Sequence, residues 1–244
     1  MATDPTTLSD APETGTGAFH LDLRRRLVAE CLGTALLLVA VVGSGIMAQR
    51  LSPGELGLEL LENAIATGAA LTALILVFGA VSGAHFNPVV TLVDRLFGTL
   101  PTRDAVGYVG AQVLGACLGT MLANAMFDLP VVELSTHARS SGPLWLSEVV
   151  ATFGLLLVIH GCVRGGRSDA VPFAVGLWIT GAYWFTSSTT FANPAVTIGR
   201  TLTDTFTGIE ASSAPMFIAM QVLGALLAFA CIGWLFPHTQ ETHP

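Results

Sequence analysis

Lysine is absent from this 244-residue chain, and charged residues of every kind make up only 11% of it. That shortage excludes a soluble domain of this size, whose surface would need far more charge. The four cysteines, Cys31, Cys117, Cys162 and Cys231, stand at irregular distances inside apolar stretches, with no CxxC and no Cys/His cluster at metal-ligand spacing. This excludes a disulfide framework and a metal centre, and each thiol reads as a small core hydrophobe. A nucleophile elbow, a phosphate-cradling glycine loop and a paired-carboxylate site are all missing, so an enzyme is not expected, nor is a cofactor. Nothing in the chain reads as a nucleic-acid partner site.

Apolar residues are what the chain has instead, at 52% with a mean hydropathy of +0.68. A membrane-crossing helix takes about 20 apolar residues. Six such segments can be marked off, over 27–48, 58–80, 104–127, 144–163, 171–190 and 214–236. The first lacks the small-residue cleavage site of a signal peptide and is read as part of the mature protein. If the spans alternate, seven of the ten arginines (Arg24, Arg25, Arg26, Arg95, Arg103, Arg164 and Arg167) fall on the side where the chain begins. The positive-inside bias then places both termini in the cytoplasm. Residues 1–22 read as an acidic flexible tail, 23–238 as a single membrane domain and 239–244 as a short C-terminal tail; much of the net charge of -7 sits in the first tail, so no partner is read from it.

The chain also repeats itself. Asn87-Pro88-Val89 and Asn193-Pro194-Ala195 each follow an apolar span and open a short amphipathic stretch, 88–96 and 194–202, while Glu30 and Glu148 each precede a Thr by four residues near the start of their halves. The offsets, 148 − 30 = 118 and 193 − 87 = 106, describe two halves of about 24–127 and 144–236 that differ in loop length. Three spans per half make the second copy enter from the opposite side, an inverted repeat whose solute path runs between the halves. Asn is a good N-cap and Pro suits the first helical position, so each copy starts a helix. Nine residues make only about 14 Å of helix, half a bilayer's hydrocarbon core, and two meeting end to end would make a seventh, broken span.

Non-helical backbone at that depth is tolerated where it lines a watery cavity. The loops 82–86 and 189–192 are therefore expected to line a pore, with both positive helix ends and the amides of Asn87 and Asn193 at its centre. Glu30 and Glu148 are read as acceptors for the loop N–H groups rather than as proton carriers. His85 is read as a loop-supporting residue and His160 as a hydrogen-bonded helix residue, since no second His or carboxylate is spaced to join them.

Ala29-Glu30-x-x-Gly33-Thr34, Ser82-Gly83-Ala84-His85-Phe86-Asn87-Pro88, Leu157-Val158-Ile159-His160-Gly161 and Asn193-Pro194-Ala195 together resemble the aquaporin and aquaglyceroporin, or major intrinsic protein, family over about 24–236. The resemblance implies an all-α membrane fold of six transmembrane helices plus two re-entrant half-helices, in a right-handed bundle that forms a homotetramer with one pore per protomer. It also implies a selectivity filter, which by distance from the motifs would be Thr67, Gly181, Thr190 and Val196. The family normally has Arg where this chain has Val196.

A ring without a bulky aromatic, His or Arg should admit neutral solutes larger than water. A second motif ending in Val looks like the bacterial aquaglyceroporins found with arsenic-resistance genes, which implies a multi-pass protein of the bacterial inner membrane. The expected function is thus a passive channel for arsenous acid and methylated arsenicals, with water and glycerol-like polyols. The alternatives are a water or glycerol facilitator without a metalloid role, and an ion-coupled secondary transporter, which would need an ionisable residue in the solute path. Arg200, four positions after Val196, is expected either to pair with Asp204 or reach the interface, or, as a vestibule charge, to reach back toward the filter.

Overall fold

In a computed structural model that describes residues 22–236, each Asn-Pro pair begins a helix. Asn87 is extended at φ -153°, and its side-chain oxygen accepts from the N–H of Val89 at 3.1 Å, so that α3 runs over Pro88–Leu96. Asn193, at φ -158°, accepts from Ala195 and Val196 at 3.0 and 3.2 Å and opens α7, Pro194–Gly199. A 3-10 turn over Arg200–Leu202 continues α7. The remaining helices are α1 (Leu23–Leu51), α2 (Leu56–Ser82), α4 (Thr102–Met126), α5 (Gly142–Arg164), α6 (Val171–Phe185) and α8 (Ala214–Leu235). These are the six long and two short helices that the resemblance implied.

The two halves pack in matching pairs. α1 lies along α4 and α5 along α8, while α2 meets α6 across the boundary between the halves. Small residues allow the close approach: a Cβ added at Gly115 would sit 2.3 Å from the Cys31 carbonyl, and one at Gly119 would sit 2.1 Å from that of Ala35. At the equivalent contact Gly224 faces the Val149 carbonyl at 2.6 Å. Such contacts hold helices together where lipid removes the hydrophobic drive between them.

Five of the described helices, α1, α2, α4, α5 and α8, are long and apolar enough to cross a membrane. The fifth expected span, 171–190, is shorter than the sequence suggested, because α6 stops at Phe185 after 15 residues. Thr186 takes an extended conformation at ψ 139° while its hydroxyl donates to Ala182 O at 2.6 Å, which ends the helix and releases the chain into the loop before α7. Residues 186–190 are all Ser or Thr and belong to that loop rather than to the apolar span. Of the acidic tail expected over 1–22 only Asp22 is described, where it caps α1, and the tail expected over 239–244 lies outside the described residues.

Candidate functional site

The two loops that lead into α3 and α7 are held by carboxylates from α1 and α5. Glu30 accepts at one oxygen from Ser82 Oγ (2.6 Å) and the His85 N–H (3.0 Å), and at the other from the Phe86 N–H (2.8 Å) and Gln112 Nε2 (2.8 Å). Glu148 repeats the arrangement with Ser188 Oγ (2.6 Å), Phe191 N–H (3.0 Å), Ala192 N–H (2.9 Å) and Gln221 Nε2 (2.6 Å). Both carboxylates are fully buried, and four donors each leave them saturated. The restraint matters because Ala84, Phe86, Thr189, Thr190 and Ala192 all have φ between 45° and 58°, a region that side-chain-bearing residues avoid.

Those strained turns bring the halves together. Asn87 Nδ2 donates to Ala192 O and Asn193 Nδ2 to Phe86 O, each at 2.8 Å. An amide nitrogen carries two N–H groups. Because both Asn residues also line a cavity, one N–H of each remains for a solute there.

The cavity, about 710 Å³, follows the axis on which α3 and α7 meet. Pro88, Val89, Pro194 and Ala195 support the two helix starts without lining it. Toward the α7 end its wall includes Thr67, Thr190, Val196 and Arg200, and toward the α3 end His85, Asp94, His160 and Arg164. Gly181 is not brought to the wall, and a Cβ built on it would point at Phe185, 3.6 Å away. Tyr183 lines the cavity instead, in a stripe with Val175 and Ile179 at four-residue steps, and its hydroxyl donates to Thr67 Oγ1 at 3.3 Å. Counting back from Asn193 missed this, because two residues along a helix turn the side chain by about 200°.

Residues 18–190 match the family described as Major intrinsic protein. The chain belongs to that family. Over 229 residues it is 52% identical to the aquaglyceroporin AqpS of Rhizobium meliloti (strain 1021), an alignment that covers 92% of this chain and 97% of the relative. It is 28% identical over 241 residues to the probable aquaporin AqpM of Archaeoglobus fulgidus, covering 88% of this chain and 97% of that one. The solved aquaglyceroporin of Plasmodium falciparum shares the fold, with a TM-score of 0.70 at 23% identity over 86% of this chain and 96% of its own. As a member of this family the chain is an integral membrane channel protein and not an enzyme.

Two expectations about charge in this channel protein need correction. His85 and His160 do have a carboxylate between them: Asp94 stands 2.8 Å from His85 Nε2 and 3.7 Å from His160 Nε2, and His85 Nδ1 meets Thr91 Oγ1 at 3.0 Å. Asp94 reaches them from the last turn of α3, seven residues beyond the Asn-Pro motif, and so places ionisable groups on the cavity wall. Nor does Arg200 pair with Asp204 or reach an interface. The α-helix gives way at Gly199, Thr203 is extended at φ -142°, and the i, i+4 register is lost. Asp204 instead accepts from the Thr136 N–H at 2.9 Å and from its hydroxyl at 3.0 Å, and the Thr136 backbone N–H, foremost among these bonds, holds its carboxyl below the usual range.

Gln112 and Gln221 went unnoticed in the sequence. Each joins a loop carboxylate to the half-helix Thr, Thr91 at 3.0 Å and Thr197 at 2.9 Å. The signal was present: each is a glutamine within the last apolar helix of its half, and 221 − 112 = 109 is close to the other repeat offsets.

Proposed function

We propose that this chain conducts small neutral solutes passively along the α3–α7 axis, and that arsenous acid and methylated arsenicals are among them, together with glycerol-like polyols and water. Val196 carries the reading. The residue after Asn193-Pro194-Ala195 is buried in the cavity wall and apolar, and it fills less of the lumen than the Arg usual in the family. Thr67, Thr190 and Val196 form the size-selecting ring with Tyr183 in the place assigned to Gly181, and Asn87 and Asn193 mark the pore centre. Arsenous acid is uncharged at neutral pH and resembles a small polyol, so the hydroxyls, carbonyls and amide N–H groups of this wall suit both. The α7 end faces outward, both termini lie in the cytoplasm of a bacterial cell, residues 23–238 form one channel domain, and four copies assemble as a homotetramer with one pore each.

A coupled transporter is the second reading, since Asp94, His85 and His160 put ionisable groups on the path. Stopped-flow swelling of proteoliposomes with water, glycerol and arsenous acid separates these possibilities, with Val196→Arg beside the wild type. Linear flux of arsenous acid that the variant loses while keeping water supports the metalloid channel. Flux that saturates and follows an ion gradient supports the transporter. Passage of nothing beyond water by the wild type refutes both the metalloid and the polyol assignments.

A further inference from the structure

Arg200 is 2% exposed and has no ion pair among the described residues. Its guanidinium carbon lies 3.4 Å from the Phe191 ring centroid and its Nε donates to the Thr207 carbonyl. Nη1 and Nη2 make no hydrogen bond to a described residue, yet neither is sealed off, and the side chain lines the cavity. The two NH2 groups of the guanidinium thus keep N–H donors that no described residue takes up, on a side chain that lines the lumen. Arg139 stacks on the same ring at 5.2 Å, but its Nε and Nη2 donate to the carbonyls of Gly208 (2.9 Å) and Phe206 (3.5 Å) and it is not on the cavity wall. The contrast singles out Arg200 as the arginine of this pair that is open to a solute.

A cation buried without a carboxylate is costly, and inside a membrane it marks a functional position. Here the aromatic face and one carbonyl hold it in place while its remaining donors stay free. We propose that Arg200 forms a subsite for neutral hydroxylated solutes, in which the guanidinium donates to a solute oxygen, and that Arg200 is also the channel's cation barrier. Charge and size selection are thereby separated: Val196 sets the width, and Arg200, four residues on in the 3-10 turn that follows α7, supplies the positive field. The inference rests on reading the chain as a solute channel, which wild-type swelling tests by itself.

The test compares wild type, Arg200→Ala and Arg200→Lys in proteoliposomes, measuring glycerol and arsenous acid relative to water and the proton leak of each. Arg200→Ala should raise the leak by roughly tenfold, the low end of the range over which a charged, low-dielectric cleft changes local ion concentration. It should also lower the glycerol-to-water ratio. Arg200→Lys keeps the charge and loses the planar fork, so it should restore cation exclusion but not the solute ratio. If Arg200→Ala does not fold, Phe191→Leu, which removes the ring beneath the guanidinium, should reproduce the leak in part. A folded Arg200→Ala, or in its place Phe191→Leu, with wild-type leak and wild-type ratios overturns the proposal, whereas a wild type that conducts no solute refutes the channel reading beneath it.

Discussion

Replacing Glu148 by Gln exchanges one oxygen for an NH2 group and leaves the side-chain shape almost unchanged. Four donors converge on the native carboxylate, Ser188 Oγ and the Phe191 N–H on one oxygen and the Ala192 N–H and Gln221 Nε2 on the other. A glutamine has a single acceptor oxygen, so in either orientation two buried donors point at a donor. An unmet buried donor costs about 1–3 kcal/mol, which makes roughly 2–6 kcal/mol for the pair. The loop it releases contains Thr189, Thr190 and Ala192 at φ 58°, 49° and 45°. Each such residue costs on the order of 1–3 kcal/mol and persists only under restraint. The purified variant should therefore lose at least about 4 °C of thermal midpoint at 2–4 °C per kcal/mol. Solute permeability should fall with it, because Thr190, Phe191 and Ala192 line the cavity. Glu30→Gln, with the same four-donor arrangement, should behave alike. Wild-type midpoint and permeability in Glu148→Gln would refute the idea that the carboxylates hold the loops.

The helix contacts and the loop between α4 and α5 give two further expectations. Gly119→Leu drives its Cβ into the Ala35 carbonyl, a backbone atom that cannot swing aside, and should cost about 1–3 kcal/mol in thermal or denaturant unfolding. Gly110→Ala, which meets nothing within 4 Å, should be neutral or slightly stabilising. Asp204 has its acid constant lowered chiefly by the Thr136 N–H. Its contribution to stability is therefore present above the ordinary value of 3.8 and is lost as the pH falls through the lower folded value. Amide exchange at Thr136, corrected for its intrinsic pH dependence, should be slowed above that value and lose its protection below it. Asp204→Asn should abolish most of this pH dependence.

Much of the architecture follows from residue type and spacing alone. Runs of about 20 apolar residues, the two Asn-Pro helix starts and the matched Glu30 and Glu148 are local or periodic features, and a bilayer leaves few ways to satisfy such a backbone. They were enough to place two half-helices over 88–96 and 194–202, where α3 and the α7 turn lie. The ends of elements were less legible, and α6 stopped at Phe185 because the following residues belong to a loop held by Glu148. What the sequence could not reveal was which side chains meet across the molecule. Tyr183 rather than Gly181 faces the cavity because of the rotation of α6, Asp94 reaches two histidines on other segments, and Arg200 turns to Phe191 and Thr207 because α7 ends in a 3-10 turn. Helix rotation and the termination of a helix are set by packing between distant segments, so spacing alone cannot supply them, and they decide the chemistry of the cavity wall.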